Sequence, residues 1–461
     1  MESFEGRRVL VAGTGVAGAA CVDVLLGLGA LVTVLDRASS ETAVRLKAAG
    51  AELALGDEPP AGLMEKLDDV IVSPGFAPHT PVVLAAVAAG VPVYSEPELA
   101  WRLRGPESPA WLAITGTNGK TTTTTMLAAI LSAAGHRCAA LGNIGEPLVY
   151  AALAPDRFDV LAVELSSFQL HWSMSMAPQA AALLNLADDH LEWHGTFPAY
   201  ASAKREVWRA AVDGDGVAIG NLDDALVAAM LAEIPGRRVG VTLDPPRPGQ
   251  LGVVDGMLVD HAFGDSVELA PSGLVRPSGE HNVSNALHAA ALARSFGVPA
   301  TAVRDGLAGY VPEPHRNAVV ATVAGVAYVD DSKATNPHAA SASLAAYPRL
   351  VWIAGGQLKG VDISDLVASF SDRMVGAVLL GVDRAEISAA LHRHAPSLPV
   401  VEVARTDDGA MAEVVTAAAG LARPGDTVLL APAAASKDMF VSYAHRGDAF
   451  AAAVRALATG A

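Results

Sequence analysis

Short runs of Val, Ile and Leu alternate along the chain with Ala-rich stretches of helical period. Apolar runs that are continuous, without alternating polar residues, are typical of strands buried on both faces of a parallel sheet. The pattern predicts strands at positions that include 8–12, 31–35, 70–73, 111–115, 160–164, 181–185, 350–354, 377–380 and 427–431. Because helical stretches separate these strands, we predict the α/β fold class.

Two breaks in composition divide the chain into three predicted domains. Pro and Gly are concentrated at 104–109 and Pro again at 311–315, and proline restricts its neighbours in a way that suits linkers. We predict a first domain over 1–106, a second over 107–313 and a third over 314–461. Within the second domain, a segment rich in Pro and Gly at 242–278 predicts a small β-hairpin region.

Composition and charge exclude several classes of protein. Hydrophobic residues make up 51% and charged residues 18% of the chain, which excludes intrinsic disorder. The net charge of −17 argues against a nucleic-acid partner or an anionic membrane surface. The two cysteines, Cys21 and Cys138, exclude a disulfide framework and a four-thiolate metal site. With neither a signal peptide nor a membrane-spanning stretch in the pattern, we expect a soluble, cytoplasmic protein without membrane insertion.

The first glycine motif follows the strand predicted at 8–12. It reads Gly13-Thr-Gly15-Val-Ala-Gly18, and Asp36 ends the next predicted strand. This G-x-G-x-x-G pattern, with an acid about 20 residues later, lets a helix N-terminus approach a pyrophosphate. Three alternatives are open on these residues: a tight turn without a ligand, a nicotinamide or flavin dinucleotide, and a nucleotide sugar. No later segment looks like a hydride-transfer site, which weighs against an oxidoreductase.

A second glycine motif follows the strand predicted at 111–115 and precedes a helix predicted over 123–134. It reads Gly116-Thr-Asn-Gly119-Lys120-Thr121-Thr122. In such loops backbone N–H groups surround phosphate oxygens, the lysine reaches the β/γ bridge and the threonine hydroxyl holds Mg²⁺. The strict phosphate-loop pattern requires glycine where Ile114 stands, so we interpret the loop as a shorter variant.

Carboxylate and histidine positions are ambiguous on the residues alone. Glu164 ends a predicted strand, where a carboxylate faces the crevice of an open α/β sheet, but a capped surface carboxylate has the same pattern. His190 and His194 lie one helical turn apart, a spacing that also occurs in metal pairs. No third ligand accompanies them, so we expect no zinc site and interpret His194 as structural or exposed.

The ordered motifs resemble those of the Mur ligases, which build the peptide stem of peptidoglycan and are related to folylpolyglutamate synthetase. The resemblance runs from about Arg8 to Gly447 and includes the segments 116–122, 141–145, 164–170, 189–190, 279–282, 314–316, 331–336 and 431–438. The run Glu164-Leu-Ser-Ser-Phe-Gln-Leu170 is similar to the version of its motif in the branch that adds D-glutamate. The family implies an N-terminal Rossmann-like domain for a UDP-sugar, a central P-loop ATPase-like parallel sheet and a C-terminal Rossmann-like domain for the amino acid.

The resemblance implies an ATP-dependent amide ligase of cytoplasmic peptidoglycan precursor synthesis. The expected reaction adds D-glutamate to UDP-N-acetylmuramoyl-L-alanine through an acyl phosphate, with ATP as co-substrate. We expect two Mg²⁺ ions and a monomer. One departure is Gln357, which stands where the family carries an acidic residue. Two alternatives are a sibling ligase that adds a different amino acid and a nucleotide-sugar-binding regulator with a vestigial ATPase.

The resemblance also implies roles for individual residues. Catalytic roles fall on Lys120, His190, Lys204, Arg316 and Lys333. ATP-binding positions are Gly116, Thr117, Asn118, Gly119, Lys120, Thr121, Thr122, Asn282, Arg316 and Asp331. UDP-sugar-binding positions are Gly15, Val16, Ala17, Asp36, Arg37, Ser73, Gly75, Asn143 and Ser166. D-Glutamate-binding positions are Thr335, Lys359, Ser436 and Tyr443. The implied metal ligands are Thr121, Glu164, His190 and, if carbamylated by CO₂, Lys204.

Overall fold

The structure is a computed structural model that describes residues 2–312, 314–407 and 409–460. Glu313, at which the predicted second domain ends, therefore lies outside the described residues, as do the outer limits Met1 and Ala461. The strands are β1 (Arg8–Ala12), β2 (Leu31–Asp36), β3 (Glu52–Leu55), β4 (Asp69–Val72), β5 (Val93–Tyr94), β6 (Ala110–Thr115), β7 (Cys138–Gly142), β8 (Val160–Glu164), β9 (Ala180–Leu183), β10 (Val217–Asn221), β11 (Arg237–Val241), β12 (Gln250–Val254), β13 (Met257–Asp260), β14 (Val267–Pro271), β15 (Ala318–Val323), β16 (Val326–Asp330), β17 (Leu350–Gly355), β18 (Met374–Leu380), β19 (Val400–Glu402) and β20 (Thr427–Leu430).

Helices separate most of these strands. They are α1 (Val16–Gly27), α2 (Glu41–Ala48), α3 (Pro81–Ala89), α4 (Glu96–Arg102), α5 (Lys120–Ala133), α6 (Leu148–Ala152), α7 (Ser167–His171), α8 (Leu191–His194), α9 (Phe197–Arg205), α10 (Arg209–Val212), α11 (Ala225–Ala232), α12 (Glu280–Ser295), α13 (Ala300–Gly309), α14 (Pro337–Ala345), α15 (Ser364–Phe370), α16 (Arg384–His394), α17 (Ala410–Leu421) and α18 (Tyr443–Gly460). Short 3₁₀ turns lie at Met64–Lys66, Pro155–Arg157, Glu206–Trp208, Ser272–Leu274 and Ser371–Arg373. Among the described residues, no helix has the length and apolarity needed to cross a bilayer.

The described chain divides into two compact units. The first contains the residues up to Val275 together with Val283–Tyr310, and the second contains Arg276–Asn282 together with the residues from Val311 onward. The first unit holds two sheets and the second holds one. The predicted α/β class with three sheet-based domains is confirmed.

The first sheet has the order β3-β2-β1-β4-β5 within the described residues, and every pairing is parallel. Its central strand β1 buries residues on both faces, because Val9 and Val11 belong to one apolar cluster and Leu10 and Ala12 to another. This double burial explains why the strand is a continuous apolar run. The chain continues from β1 to β2 and β3 on one side and then returns from β3 to β4 on the other side of β1. A crevice opens at the carboxyl ends of β1 and β4, where the strand order reverses.

The second sheet of the described chain has the order β14-β13-β12-β11-β10-β9-β6-β8-β7. Pairings from β7 to β12 are parallel, and β12, β13 and β14 pair antiparallel. This antiparallel extension lies in the segment predicted as a β-hairpin region, so that prediction is confirmed. The central strand β6 has β8 on one side and β9 on the other, which places the second glycine motif at the carboxyl edge between them.

The third sheet, as far as the chain is described, has the order β15-β16-β20-β17-β18-β19. Only the β15–β16 pairing is antiparallel among these strands. Loops at the carboxyl ends of β16, β20 and β17 therefore emerge side by side. They carry the segments 331–336 and 431–438 and the residues Gln357 and Lys359, which the sequence singles out.

Candidate functional site

The loop after β6 requires glycine at two positions. Gly119 has φ of 81° and caps the N-terminus of α5. A Cβ there would lie 2.4 Å from Oδ1 of Asn285, and one at Gly116 would lie 3.0 Å from Cβ of Leu184. The prediction that the helix begins at Thr123 is wrong, since α5 begins at Lys120 directly after Gly119. The first N–H groups of a helix point out of its N-terminus, where they favour an anion.

Lys120 and Asn118 form hydrogen bonds within the loop and with the loop that follows β9. The Nζ of Lys120 donates to the carbonyl oxygens of Gly116 and Thr117, both at 2.9 Å. The backbone N–H of Asn118 donates to Oδ1 of Asn185 at 2.8 Å, and the Asn185 amide donates back to the Asn118 carbonyl oxygen at 3.1 Å. The loop is thus preshaped by the Lys120 side chain and by Asn185 of the neighbouring loop.

The neighbouring threonines are also held in place. The hydroxyls of Thr117 and Tyr200 lie 2.8 Å apart, and Thr117 Oγ1 accepts the backbone N–H of Ala187 at 3.0 Å. Thr121 and Thr122 are buried in the first turn of α5.

Lys204 points at the same loop from α9 and is only 2% exposed. Its Nζ donates to the carbonyl oxygen of Gly116 at 2.8 Å and lies 3.5 Å from Oγ1 of Thr115. Burial, reinforced by the charge of Lys120, holds the pKa of Lys204 well below its usual value, while Asp189 and Glu164 act in the opposite direction. The neutral form of the amine is therefore more populated here than on a solvated lysine.

Glu164 ends β8 beside β6, in register with Ile114. Its Oε1 accepts the side-chain amide of Asn143 at 2.7 Å, and the Asn143 backbone N–H donates to the Glu164 carbonyl oxygen at 2.9 Å. Oε2 is buried without a hydrogen-bond partner. A buried carboxylate oxygen without a partner is costly, and a hard divalent cation would satisfy it.

This donor set fits Mg²⁺ better than zinc. No group of three or more His, Cys, Asp or Glu side chains in the described chain is arranged to hold a metal ion. A cation at Glu164 would need further oxygen ligands, which is the coordination that Mg²⁺ prefers. Hydroxyl and phosphate oxygens, and a carbamate on Lys204, belong to that class.

His190 stands at the N-cap of the short helix α8 with φ of 54°, a left-handed conformation uncommon for a non-glycine residue. Its ring lies 4.7 Å from that of Phe168, and Nε2 lies 3.5 Å from a carboxylate oxygen of Asp189. His194 is half-buried, with Nε2 3.0 Å from Oγ of Ser167. Burial lowers the pKa of His194 to about 4, with smaller contributions from His171, His190 and Lys204.

The first glycine motif forms a tight turn between β1 and α1. Gly13 has φ of 94°, and a Cβ on Gly18 would lie 2.0 Å from the carbonyl oxygen of Gly13. Ser73, after β4, lies across the crevice with Oγ 3.5 Å from the same carbonyl oxygen. The space around Gly15 and Gly75 is open, since a Cβ at either would meet no atom within 4 Å.

Asp36 organises this loop from the end of β2. It accepts the backbone N–H of Thr14 at 2.8 Å, the Thr14 hydroxyl at 2.5 Å and the backbone N–H of Arg37 at 2.7 Å. Partial burial alone would raise the pKa of Asp36, but these hydrogen bonds hold it below its usual value. The Arg37 guanidinium pairs with Asp57 at 2.6 Å. Val16 is 77% exposed beside the loop, and Ala17 follows it in the first turn of α1.

Ser166 is the N-cap of α7 and forms a capping box with Gln169. Its hydroxyl accepts the Gln169 N–H at 3.2 Å, and its backbone N–H donates to the Gln169 side chain at 2.9 Å. Asn143 follows β7 and Ser166 follows β8, so both lie at the carboxyl ends of neighbouring parallel strands.

In the second unit, Arg316 lies between two residues in the left-handed conformation, His315 with φ of 63° and Asn317 with φ of 50°. His315 Nδ1 lies 2.7 Å from Oδ2 of Asp330, and the Asn317 backbone N–H donates to Asp331 at 3.1 Å. Such strain persists only where the surroundings hold it, so the backbone on both sides of Arg316 is fixed by these contacts.

Asp331 and Asn282 are both buried in this unit. Burial raises the pKa of Asp331 to about 6, against hydrogen bonds from Ser343 and from the Asn317 backbone. The Asn282 side-chain nitrogen lies 2.9 Å from Nε2 of His281 in the first turn of α12. That helix begins at Glu280, two residues before Asn282.

The amino-acid-binding positions lie on the loops that follow β16, β17 and β20 and at the start of α18. Lys333 Nζ is 4.0 Å from the ring centroid of Tyr443. Lys359 is exposed with φ of 57°, Thr335 is partly buried and Ser436 is buried. Within the described residues, these last three side chains form no hydrogen bond with one another. The Gln357 backbone instead joins two of the loops through a mutual pair of hydrogen bonds with Ala435, at 2.8 and 3.0 Å.

One residue of this region was not found from the sequence. Arg446 is 1% exposed and donates to the carbonyl oxygens of Gly355, Ala434 and Ser332 and to the Ser332 hydroxyl, at 3.0–3.2 Å. It therefore ties the loops after β16, β17 and β20 together. The sequence gives little signal for it, because Arg446 lies between His445 and Asp448 at the polar start of α18.

Comparison with known proteins supports the resemblance. Family models match three successive segments: "Mur ligase MurD-like, N-terminal domain" at residues 7–95, "Mur ligase middle domain" at 114–293 and "Mur ligase, glutamate ligase domain" at 315–434. The UDP-N-acetylmuramoylalanine--D-glutamate ligase of Thermobifida fusca is 56% identical and that of Streptomyces avermitilis 54% identical, each over 99% of this chain and 99% and 100% of theirs.

Solved structures share the fold at low identity. UDP-N-acetylmuramate-alanine ligase MurC of Thermotoga maritima has a TM-score of 0.57 at 16% identity, covering 98% of this chain and 99% of its own. E. coli FolC, in complex with DHPP and ADP, has a TM-score of 0.56 at 19% identity, covering 79% and 92%. Because the three family segments follow one another along almost the whole chain and the curated relatives match it from end to end, the chain belongs to the Mur ligase family.

Proposed function

We propose that this protein is an ATP-dependent ligase that joins D-glutamate to UDP-N-acetylmuramoyl-L-alanine. The observation that carries the proposal is the full-length identity of 54–56% to relatives of that name. It favours the prediction of D-glutamate addition over a sibling ligase with a different amino acid. A regulator with a vestigial ATPase is disfavoured because the phosphate loop, Glu164 and Lys204 retain a coherent arrangement around Gly116 and Ile114.

The chemistry needs an activated carboxyl group. A carboxylate is a poor electrophile, so its oxygen takes the γ-phosphoryl group of ATP to give an acyl phosphate and ADP. The uncharged amine of D-glutamate then attacks the acyl carbon, and phosphate leaves. Phosphoryl transfer depends chiefly on positioning and on neutralising the charge of the phosphate oxygens.

We assign the phosphates of ATP to the loop 116–122. The first N–H groups of α5 point out of its N-terminus and favour an anion there, and the Lys120 ammonium already lies across the loop. ATP would replace the Gly116 and Thr117 carbonyl oxygens as the partners of that ammonium. We also assign Asn282, Arg316 and Asp331 to ATP on the family resemblance, and the oriented backbone around Arg316 is consistent with a phosphate-contacting side chain.

We assign Mg²⁺ to Glu164, Thr121, His190 and a carbamylated Lys204, with two ions expected. Mg²⁺ would neutralise phosphate charge and orient the transferring group. Formation of the carbamate joins the neutral Lys204 amine nitrogen to the carbon of CO₂, and one amine proton is released. The buried, desolvated position of Lys204 supports this, since only the neutral amine has the free electron pair.

We assign the UDP-sugar to the first sheet and to its neighbours after β7 and β8. The residues are Gly15, Val16, Ala17, Asp36, Arg37, Ser73, Gly75, Asn143 and Ser166. The open space at Gly15 and Gly75 on both sides of the crevice supports a ligand there. Asp36 supports it indirectly, since its carboxylate orders the Thr14 backbone.

We assign D-glutamate to Thr335, Lys359, Ser436 and Tyr443, with Lys333 beside Tyr443 adding positive charge. The exposed Lys359 ammonium is suited to a substrate carboxylate, and a charge-assisted hydrogen bond of this kind contributes roughly 1.5–3 kcal/mol. The domain limits, the number of ions, the monomeric state, the lack of a nucleic-acid partner and the cytoplasmic location stay predictions.

The proposal is tested by phosphate release. The wild-type protein is incubated with ATP, Mg²⁺ and UDP-N-acetylmuramoyl-L-alanine against a panel of D- and L-amino acids. We expect release that requires both the UDP-sugar and D-glutamate. Stronger release with L-alanine or L-lysine would move the assignment to a sibling ligase, and release without any amino acid would overturn the ligase reaction.

A further inference from the structure

The start of α4 carries three polar side chains with almost no exposure. Ser95, Glu96 and Glu98 are 2%, 4% and 0% exposed, respectively. Carboxylates are rarely buried to this degree unless they are bonded to specific partners. All three are bonded to segments of the chain between residues 148 and 176, which lie in the predicted second domain of the first unit. We refer to Ser95, Glu96 and Glu98 as the α4 triplet.

Glu96 holds the N-terminus of α6. Its Oε1 accepts the backbone N–H of Val149 at 2.8 Å, and the N–H of Leu148 also contributes. A carboxylate at a helix N-terminus satisfies unpaired N–H groups and interacts favourably with the helix dipole. The loop that leads into α6 carries Asn143.

Ser95 holds the C-terminal end of α7. Its hydroxyl donates to the carbonyl oxygen of Gln169 at 3.0 Å, and its backbone N–H donates to that of Trp172 at 3.0 Å. The Trp172 ring nitrogen in turn donates to the carbonyl oxygen of Phe76 at 3.3 Å, next to Gly75. The N-cap of α7 is Ser166.

Glu98 holds the segment that follows α7. Its two oxygens accept the backbone N–H groups of Met174, Ser175 and Met176, all at 3.0 Å, and the Ser175 hydroxyl at 2.6 Å. A carboxylate that accepts several N–H groups fixes the path of the backbone around it. Ser95 and Glu98 together therefore hold the segment 169–176.

The helices that the α4 triplet holds are too short to define their own positions. α6 and α7 have five residues each, below the length at which an isolated helix is stable in water. Leu99 of α4 and Leu103, which caps its C-terminus, already provide core packing. Hydrogen bonds at the helix ends are directional, so they fix where α6 and α7 lie. Asn143 precedes α6 by five residues, and Ser166 is the N-cap of α7.

We propose that Ser95, Glu96 and Glu98 are positioning residues for the muramoyl part of the UDP-sugar. They set Asn143 and Ser166 at a fixed distance from the uridine-diphosphate crevice between Gly13 and Gly75. The inference rests on the proposed function, which places those two residues against the substrate. The α4 triplet itself does not touch the substrate, and it acts through the ends of α6 and α7.

The test compares binding of the whole substrate with binding of UDP alone. The variants are Glu96→Ala, Glu96→Gln and Ser95→Ala, with Glu107→Gln as a control because Glu107 is exposed and lies close by in sequence. We expect Glu96→Ala to raise the Kd of UDP-N-acetylmuramoyl-L-alanine about tenfold, because the hydrogen bond from the Val149 backbone is lost. The Kd of UDP and the KM for ATP should change less than about twofold.

Glutamine retains an acceptor oxygen, so Glu96→Gln should restore the Kd of the whole substrate to within about threefold of wild type. If the role of Glu96 were merely structural, Glu96→Ala would weaken the binding of UDP, UDP-sugar and ATP together, and Glu96→Gln would not restore it. That result would overturn the proposal. An unchanged UDP-sugar Kd in folded Glu96→Ala would overturn it as well. If Glu96→Ala does not fold, Ser95→Ala decides, with an increase of about threefold expected in the UDP-sugar Kd alone. Failure of wild type to bind the UDP-sugar would instead refute the proposed function.

Discussion

Replacement of Glu96 by glutamine should change how the stability of the fold depends on pH. The carboxyl group is fully buried, and burial raises its pKa from 4.5 to about 7, although the N–H groups of Val149 and Leu148 act in the opposite direction. A difference of this size between the folded and unfolded states corresponds to roughly 3 kcal/mol in the free energy of unfolding.

The direction of the effect follows from proton binding. Below pH 4.5 the Glu96 carboxyl is protonated in both states. Between pH 4.5 and about 7 the unfolded chain has lost the proton while the folded protein keeps it, so the free energy of unfolding falls as pH rises. Above about pH 7 the decrease in the free energy of unfolding is complete. Glutamine has no proton to lose in this range, so Glu96→Gln escapes the penalty.

The assay is thermal unfolding of wild type and Glu96→Gln at several pH values from about 5 to about 8. We expect nearly equal Tm values at the acidic end and a Tm several degrees higher for the variant at the alkaline end. Glu107→Gln serves as a control with the same change in charge at an exposed site. A difference in Tm that is independent of pH, or a less stable variant at about pH 8, would refute the reasoning.

Four further predictions concern the proposed site. Lys120→Ala should abolish ATP-dependent synthesis without loss of folding, because the variant lacks the ammonium that lies across the phosphate loop. Lys204→Ala should be inactive, and short carboxylic acids should partly restore synthesis by supplying the oxygens of the missing carbamate. Lys359→Ala should raise the KM for D-glutamate roughly tenfold or more, with the KM values for ATP and UDP-sugar much less affected. UDP should compete with the UDP-sugar for Gly13–Gly18 and Asp36, whereas NAD should not, as measured by ligand displacement.

Each of these predictions has a result that contradicts it. Near-normal synthesis by Lys120→Ala would refute the assignment of the ATP phosphates to the loop 116–122. Full activity of Lys204→Ala, together with no extra mass on Lys204 in bicarbonate, would exclude the carbamate. An unaltered D-glutamate KM in Lys359→Ala would remove that residue from the amino-acid site while leaving the ligase reaction intact. Saturable NAD binding that displaces the UDP-sugar would favour a dinucleotide.

The strands were predictable because the central strands are buried on both faces. In β6, Trp111 and Ala113 face one apolar cluster while Leu112 and Ile114 face another, and this produces a continuous apolar run that is easily recognised. Helix starts were less predictable. The run of threonines after Lys120 has low helix propensity, but the left-handed Gly119 and the packing of α5 override it.

The candidate site was predictable where its residues are contiguous. Motifs such as 116–122 bring several groups together through the geometry of one loop. Arg446 and Glu96 were missed because their partners lie far away along the chain, at Ser332 and Gly355 for Arg446 and at Val149 for Glu96. Sequence alone did not distinguish these buried charged groups from the surface Arg and Glu residues that are far more common.

The placement of the α4 triplet also has a consequence for the order in which the protein is made. The strands of the first sheet and α4 are complete at Arg102, whereas the last partner of Glu98 is Met176, some 70 residues further along. At roughly 5–20 residues per second, a ribosome needs several seconds to add that length. During this interval the Ser95 hydroxyl and the Glu96 carboxylate are hydrated, and Glu98 pairs with Arg102 of the same helix. An apolar surface in their place would be exposed to aggregation while its partner did not yet exist.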